Sequence, residues 1–303
     1  MVEQSRNIVV SGAARGIGRS LSRHFLDKGH CVFLLDIQED ELKYCVETHL
    51  KRFASSGPGG RQMAGYALCD LRDPAAIRAS IEAAVAFFGD GRIDVLVNNG
   101  GIASPQWRDG RTMEDRDTLA EWQAYIETNL TAPFVASQAC LPYMKRAASI
   151  DEHNQQHVDA VAADVTSDAG PCVVHIGSFR AHQSDPNQEG YAATKAGQLG
   201  LMHSMAISLA RWGIRVNLVA PGRIKAAHEC RAGDEGGARV GAPGRGQGRG
   251  GPPGQPRGAA AGYCAGGGLP HQCGIRDGGG ADGRRRRVEE EKVVKREKRK
   301  KQG

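Results

Sequence analysis

The chain has 303 residues and a formal net charge of +6, with 5% aromatic residues and 41 glycines. The charge is unevenly placed, with 17 Lys and Arg against 9 Asp and Glu after residue 225, and 23 against 25 before it. The first three-quarters of the chain therefore shows no electrostatic footprint for nucleic acid, and no apolar run approaches the ~20 residues of a membrane-spanning helix.

In chain order, Asn7-Ile8-Val9-Val10 is a short apolar run, and so a strand entered almost at once, with no room for a signal peptide. It ends in a glycine-rich loop, Ser11-Gly12-Ala13-Ala14-Arg15-Gly16-Ile17-Gly18, after which Arg19 to Lys28 has helical spacing closed by Gly29. Cys31 to Leu35 is a second buried strand closing on Asp36. A strand–loop–helix–strand unit of this kind brings backbone N–H groups and a helix N-terminus to a pyrophosphate. Gly12, Arg15, Gly16, Ile17 and Gly18 are accordingly candidate dinucleotide ligands. Asp36, eighteen residues past Gly18, can accept hydrogen bonds from the adenosine ribose and would repel a 2′-phosphate, which favours NAD over NADP.

Met63 to Leu68 reads as a third strand, followed by Asp70-Leu71, with Asp70 either a ligand or a helix cap ahead of Pro74. Ile93 to Val97 is a fourth strand leading into Asn98-Asn99-Gly100-Gly101. Glu121 to Asn129 and Ala132 to Ala147 read as helices. Ser149 to Gly170 is polar, lacks strand pattern and is expected to be a surface insertion. Its His153 and His157 stand at i,i+4 spacing but lack a third ligand, so no metal site is expected there. Cys172 to Ile176 is a fifth strand ending at Gly177-Ser178, Tyr191 to Trp212 a long helix, and Ile214 to Val219 a sixth strand before Pro221-Gly222-Arg223-Ile224. The eight cysteines show no C-x-x-C pair and no metal-ligand spacing, which fits reduced thiols and a cytoplasmic protein.

Tyr191 and Lys195 are one helical turn apart and so share a helix face. A tyrosine with an ordinary pKa near ~10 is a poor base at neutral pH. A lysine cation beside it favours the phenolate, and a pKa nearer the operating pH makes proton transfer efficient. The Ser178 hydroxyl, thirteen residues before the tyrosine, can hold a substrate oxygen where charge develops.

The glycine loop, Asn98-Asn99-Gly100-Gly101, Asn129, Ser178, Tyr191, Lys195 and Pro221-Gly222 together resemble the short-chain dehydrogenase/reductase family over about residues 7–237. The resemblance implies one doubly wound α/β domain over 1–237, a parallel sheet in Rossmann order with helices on both faces. It implies NAD(P)-dependent interconversion of a secondary alcohol and a ketone, a small-molecule substrate. Tyr191 would be the acid/base, Lys195 would lower its pKa and hold the nicotinamide ribose, and Ser178 would steady the substrate oxygen. Asn129 would kink its helix and hold a water linking Lys195 to solvent. Asp70 and Leu71 would contact the adenine, and Asn98 and Gly100 the cofactor, with Gly100 standing where the family has alanine. Pro221, Gly222 and Ile224 would form the turn beside the nicotinamide carboxamide. A basic residue at the position of Arg15 can serve NADP in this family, although Asp36 keeps NAD favoured. A homodimer or homotetramer, built on the 191–212 helix and the one before it, is also implied.

After about Gly237 the composition changes to Gly, Arg, Pro and Ala, ending in a Lys/Arg run. Residues 238–303 cannot build a core and are expected to be a disordered tail. Shifting the degenerate codons of residues 274–287 by one nucleotide permits a Val-Asp-Gly-Gly-like run, which in relatives lies on the last strand of the sheet. The tail is therefore expected to be out of frame, with the last strand and the substrate-covering helices missing. That loss would expose a sheet edge and leaves a second reading, a catalytically impaired dinucleotide-binding protein. RNA binding through the basic tail is a third.

Overall fold

The structure is a computed structural model and describes residues 5–53, 57, 62–145 and 170–236. The proposed tail of residues 238–303, with its frame and its RNA-binding alternative, lies outside the described residues. So does the proposed insertion up to residue 169, including His153 and His157.

Six parallel strands form one sheet: β1 (Asn7–Ser11), β2 (Cys31–Asp36), β3 (Ala64–Leu68), β4 (Val95–Asn98), β5 (Cys172–Ile176) and β6 (Arg215–Val219), in the order β3-β2-β1-β4-β5-β6. The registers are continuous, with Ser11 opposite Leu35, Asp36 opposite Leu68, Asn98 opposite His175 and Ile176 opposite Val219. β1 and β2 are buried on both faces, as parallel strands covered by helices must be. Ile8, Val9, Val10, Val32 and Leu34 form the centre of the core.

The helices are α1 (Gly16–Asp27), α2 (Glu39–Tyr44), α3 (Pro74–Phe88), α4 (Leu119–Tyr125), α5 (Ala132–Met144), α6 (Glu189–Leu209) and the short α7 (Arg231–Glu235). The strand order reverses between β1 and β4. Right-handed crossovers therefore place α1 and α2 on one face and α3, α5 and α6 on the other. α1 begins three residues earlier than the sequence pattern suggests, directly from the glycine loop, and ends at Gly29, whose φ is +82°. α4 and α5 are joined by a π-helical segment, Ile126–Thr131, so the expected kink at Asn129 takes the form of a widened turn. Asp73, not Asp70, caps α3, accepting a hydrogen bond from the Ala75 N–H at 2.8 Å.

This topology sets where a ligand can sit. In open α/β sheets the crevice lies beyond the carboxyl ends of the strands at the reversal. Here the ends of β1 and β4 are stapled together. Ser11 Oγ accepts from the N–H groups of Asn99 (3.1 Å) and Gly100 (3.0 Å), and Asn99 Nδ2 donates to the carbonyls of Ser11 (3.0 Å) and Gly12 (2.9 Å).

Candidate active site

A cleft of about 1030 Å³ runs across the carboxyl ends of the strands. Of the residues expected to hold a cofactor or act on a substrate, Gly12, Arg15, Gly16, Ile17, Asp36, Asp70, Leu71, Ser178, Tyr191, Lys195, Pro221, Gly222 and Ile224 line it. Gly18, Asn98, Gly100 and Asn129 do not; they shape it from behind.

Each of those four has a steric or hydrogen-bonding task. A Cβ on Gly18 would lie 2.2 Å from the Gly12 carbonyl oxygen, so only glycine lets α1 start against the loop. A Cβ on Gly100 would lie 2.4 Å from Leu71 Cδ1. Leu71 thus fills the space an alanine methyl would take. Asn98 is buried and donates from Nδ2 to Ser137 Oγ at 3.1 Å, away from the cleft. The cleft-lining asparagine is its neighbour Asn99, which the sequence reading passed over.

One end of the cleft is formed around Asp36. Both its carboxylate oxygens accept backbone N–H groups, from Ala14 and from Gln38, each at 3.0 Å. Asp70 holds Arg72, a cleft residue not anticipated, in a forked pair with contacts of 2.8 and 3.2 Å. The glycine loop carries an unforeseen contact: the Gly16 N–H donates to the Glu229 carbonyl at 2.7 Å. The segment bearing Glu229 is pinned to α1 by charge. Arg23 contacts Glu229 at 3.1 Å, and the fully buried Arg19 contacts Asp234 at 2.6 Å. The cleft's volume of about 1030 Å³, its glycine floor and its acidic far end fit a dinucleotide. The one misfit is the Gly16 N–H, which is already bonded.

At the other end stand Ser178, Tyr191 and Lys195. Ser178, two residues past the end of β5, is buried, and its Oγ accepts from the Arg180 N–H at 3.1 Å. Tyr191 is seated by an edge-on aromatic run, with Tyr125 centred 6.4 Å away and Trp107 a further 5.8 Å on. This packing requires Gly190, where a Cβ would come within 2.7 Å of Tyr125 and 2.8 Å of Trp107. Lys195 is buried, and its Nζ donates to the Ile176 carbonyl at 2.9 Å and to Gln198 Oε1 at 3.2 Å. Asn129 clamps the loop after β4: its Oδ1 accepts from the Ile102 N–H at 2.7 Å and its Nδ2 donates to the Ile102 carbonyl at 3.2 Å.

Burial dominates the electrostatics of both Tyr191 and Lys195. Burial pushes the Tyr191 phenol above its ordinary value, opposed by the Ser178 hydroxyl and the Arg180 guanidinium. The Lys195 ammonium, held by Ile176 and Gln198, stands 5.6 Å from the phenol ring centre. Burial lowers the lysine itself to about 8. His175, fully buried beneath the site, is lowered to about 4 by burial and by Lys195, and is neutral at pH 7.

Comparison with known proteins identifies the family. The model of the family described as short chain dehydrogenase matches residues 6–235, and the chain belongs to that family of oxidoreductases. It is 33% identical to a trans-4-hydroxycyclohexanecarboxylate dehydrogenase of Sinomonas cyclohexanicum over 72% of this chain and 71% of that one. It is 30% identical to a 3-oxoacyl-(acyl-carrier-protein) reductase of Staphylococcus aureus over 74% and 76%. Among solved structures, the ligand-free aldohexose dehydrogenase of Thermoplasma acidophilum matches with a TM-score of 0.52 and 26% identity, covering 74% of this chain and 69% of that one.

Proposed function

We propose that the chain interconverts a secondary alcohol and a ketone with NAD as the favoured cofactor. The observation that carries this reading is the meeting of Ser178, Tyr191 and Lys195 at one end of a cleft whose other end is the glycine loop and Asp36. The cofactor supplies or accepts the hydride. Gly12, Arg15, Gly16 and Ile17 would hold its phosphates, Asp36 its adenosine ribose, Asp70 and Leu71 its adenine, and Pro221, Gly222 and Ile224 its carboxamide. In the direction of reduction, Ser178 Oγ donates a hydrogen bond to the ketone oxygen, and Tyr191 gives its proton to that oxygen as charge builds there. In oxidation Tyr191 takes the proton back. Lys195 supplies fixed positive charge beside the site, and Asn129 keeps the Ile102 loop in place.

The similar proteins support a carbonyl or hydroxyl as the reacting group, since one is named for a hydroxycyclohexane acid and another for a 3-oxoacyl group. Apolar side chains exposed on α5 and α6, Phe134 and Ile207, suit the proposed homodimer or homotetramer. A second reading, dinucleotide binding without turnover, draws on the Gly16 N–H already held by Glu229. A single experiment separates the two: cofactor binding by titration alongside turnover on a panel of cyclic and acyclic ketones. Binding with turnover that Tyr191→Phe removes supports the enzyme; binding with no turnover supports the second reading.

A further inference from the structure

Gln198 is 1% exposed and lies three residues after Lys195 on α6. Both ends of its amide are used. Oε1 accepts from Lys195 Nζ at 3.2 Å, and Nε2 donates to the Asn129 main-chain carbonyl in the π-helical segment. The partner is available for a reason written in the sequence. In an α-helix the Asn129 carbonyl would accept from the N–H four residues on, and that residue is Pro133, which has none.

We infer that Gln198 is a positioning residue of the reaction, holding the Lys195 ammonium between β5 and the π-helical segment; this rests on the proposed roles of Tyr191 and Lys195. A glutamine on a buried helix face has no packing reason to be preferred over leucine, and burying its amide is unfavourable unless both ends are bonded. Here they are bonded, one of them to the cation of the site. Lys195 has three N–H donors. Ile176 and Gln198 take two, which orients the third and fixes the charge relative to Tyr191. Gln198 also spans the gap between Lys195 and Asn129 directly, where a water was expected. An amide neither gives nor takes a proton at neutral pH, so this link carries position and polarity, not protons.

Among the described residues, the titratable groups around Lys195 are few. Tyr191 comes from its own helix, and His175 from β5 is neutral at pH 7. Burial is the cause acting on the lysine, without a carboxylate to offset it. The residue at 198 therefore sets the polarity that the ammonium meets on the side of the π-helical segment.

The test compares Gln198→Leu with the near-isosteric Gln198→Glu in the full chain. The Lys195 side chain is titrated by carbon-13 NMR, its resonance assigned with Lys195→Met, and the pH profile of kcat is measured in parallel. The leucine variant should move the lysine titration below about 8, and the glutamate variant above it. The pH profile of kcat should move in the same two directions. A residue that merely fills space would give two variants titrating like the parent, or both moving the same way, and either result overturns the inference. Absence of turnover in the parent itself would be a different failure, that of the functional reading, and the NMR titration would register it separately.

Discussion

Tyr191, Ser178 and Lys195 were legible as a set because their chemistry needs those side chains at those spacings. What the sequence did not carry was their electrical setting. The helical spacing of Tyr191 and Lys195 says nothing about Ile176 and Gln198, which hold the lysine, nor about Arg180, whose guanidinium favours the Tyr191 phenolate. Replacing Arg180 with methionine should therefore raise the Tyr191 titration, read as phenolate absorbance against a Tyr191→Phe blank. Lys195 carries a stability prediction. Its folded value, about 8, lies below the ordinary 10.5, so between those limits the unfolded chain binds more protons and stability rises with pH. Lys195→Met removes a buried charge. At pH 7 that charge costs the parent about 3 kcal/mol, so the variant has its greatest advantage there, less what the Ile176 carbonyl and Gln198 Oε1 lose with their donor. Urea unfolding should show that advantage shrinking from pH 8 to 10.5. Asp36 carries a specificity prediction: Asp36→Asn should lower the preference for NAD over NADP, measured as the ratio of kcat/KM values, because it removes the charge that repels a 2′-phosphate.

At the scale of elements, the six strands were readable because apolar runs stop at Gly, Asn or Asp. The helices were less so. No element was expected over residues 39–49, where α2 and a π turn lie, and the Asp73-Pro74 start of α3 was overlooked in favour of Asp70. Two contacts between elements have no local signal at all. One is the Trp107–Tyr125–Tyr191 run that depends on Gly190, and the other is the pinning of residues 229–234 to α1. The second is testable through stability. Arg19 is fully buried, with Nη2 on Asp234 at 2.6 Å and Nε no nearer to Glu229 than 3.6 Å, so Asp234 provides much of its compensation. Asp234→Asn should cost roughly 2–3 kcal/mol in urea unfolding. Because that segment also occupies the Gly16 N–H, the same variant should bind NADH more tightly at a concentration where it remains folded. Gly18→Ala should abolish cofactor binding outright, since the added methyl meets the Gly12 carbonyl at 2.2 Å.

For the whole molecule, the family match spans residues 6–235, and the sheet has β6 at its edge, where Arg215, Asn217 and Val219 are exposed. Among the described residues, no helix is long and apolar enough to cross a membrane. We propose that residues 238–303 are read out of frame and that the shifted frame encodes a further strand to cover this edge; resequencing codons 230–245 and finding the printed frame intact in related strains would refute that. The central claim is that Tyr191 handles the proton in a nicotinamide-dependent reaction. The most direct measurement is NADH- and NADPH-dependent ketone reduction by the chain, by its frame-restored version, and by Tyr191→Phe in each. The account predicts turnover, faster in the restored version, that falls about 100- to 10,000-fold without the phenol while cofactor binding is unchanged. Equal turnover with tyrosine and phenylalanine at position 191 would contradict it.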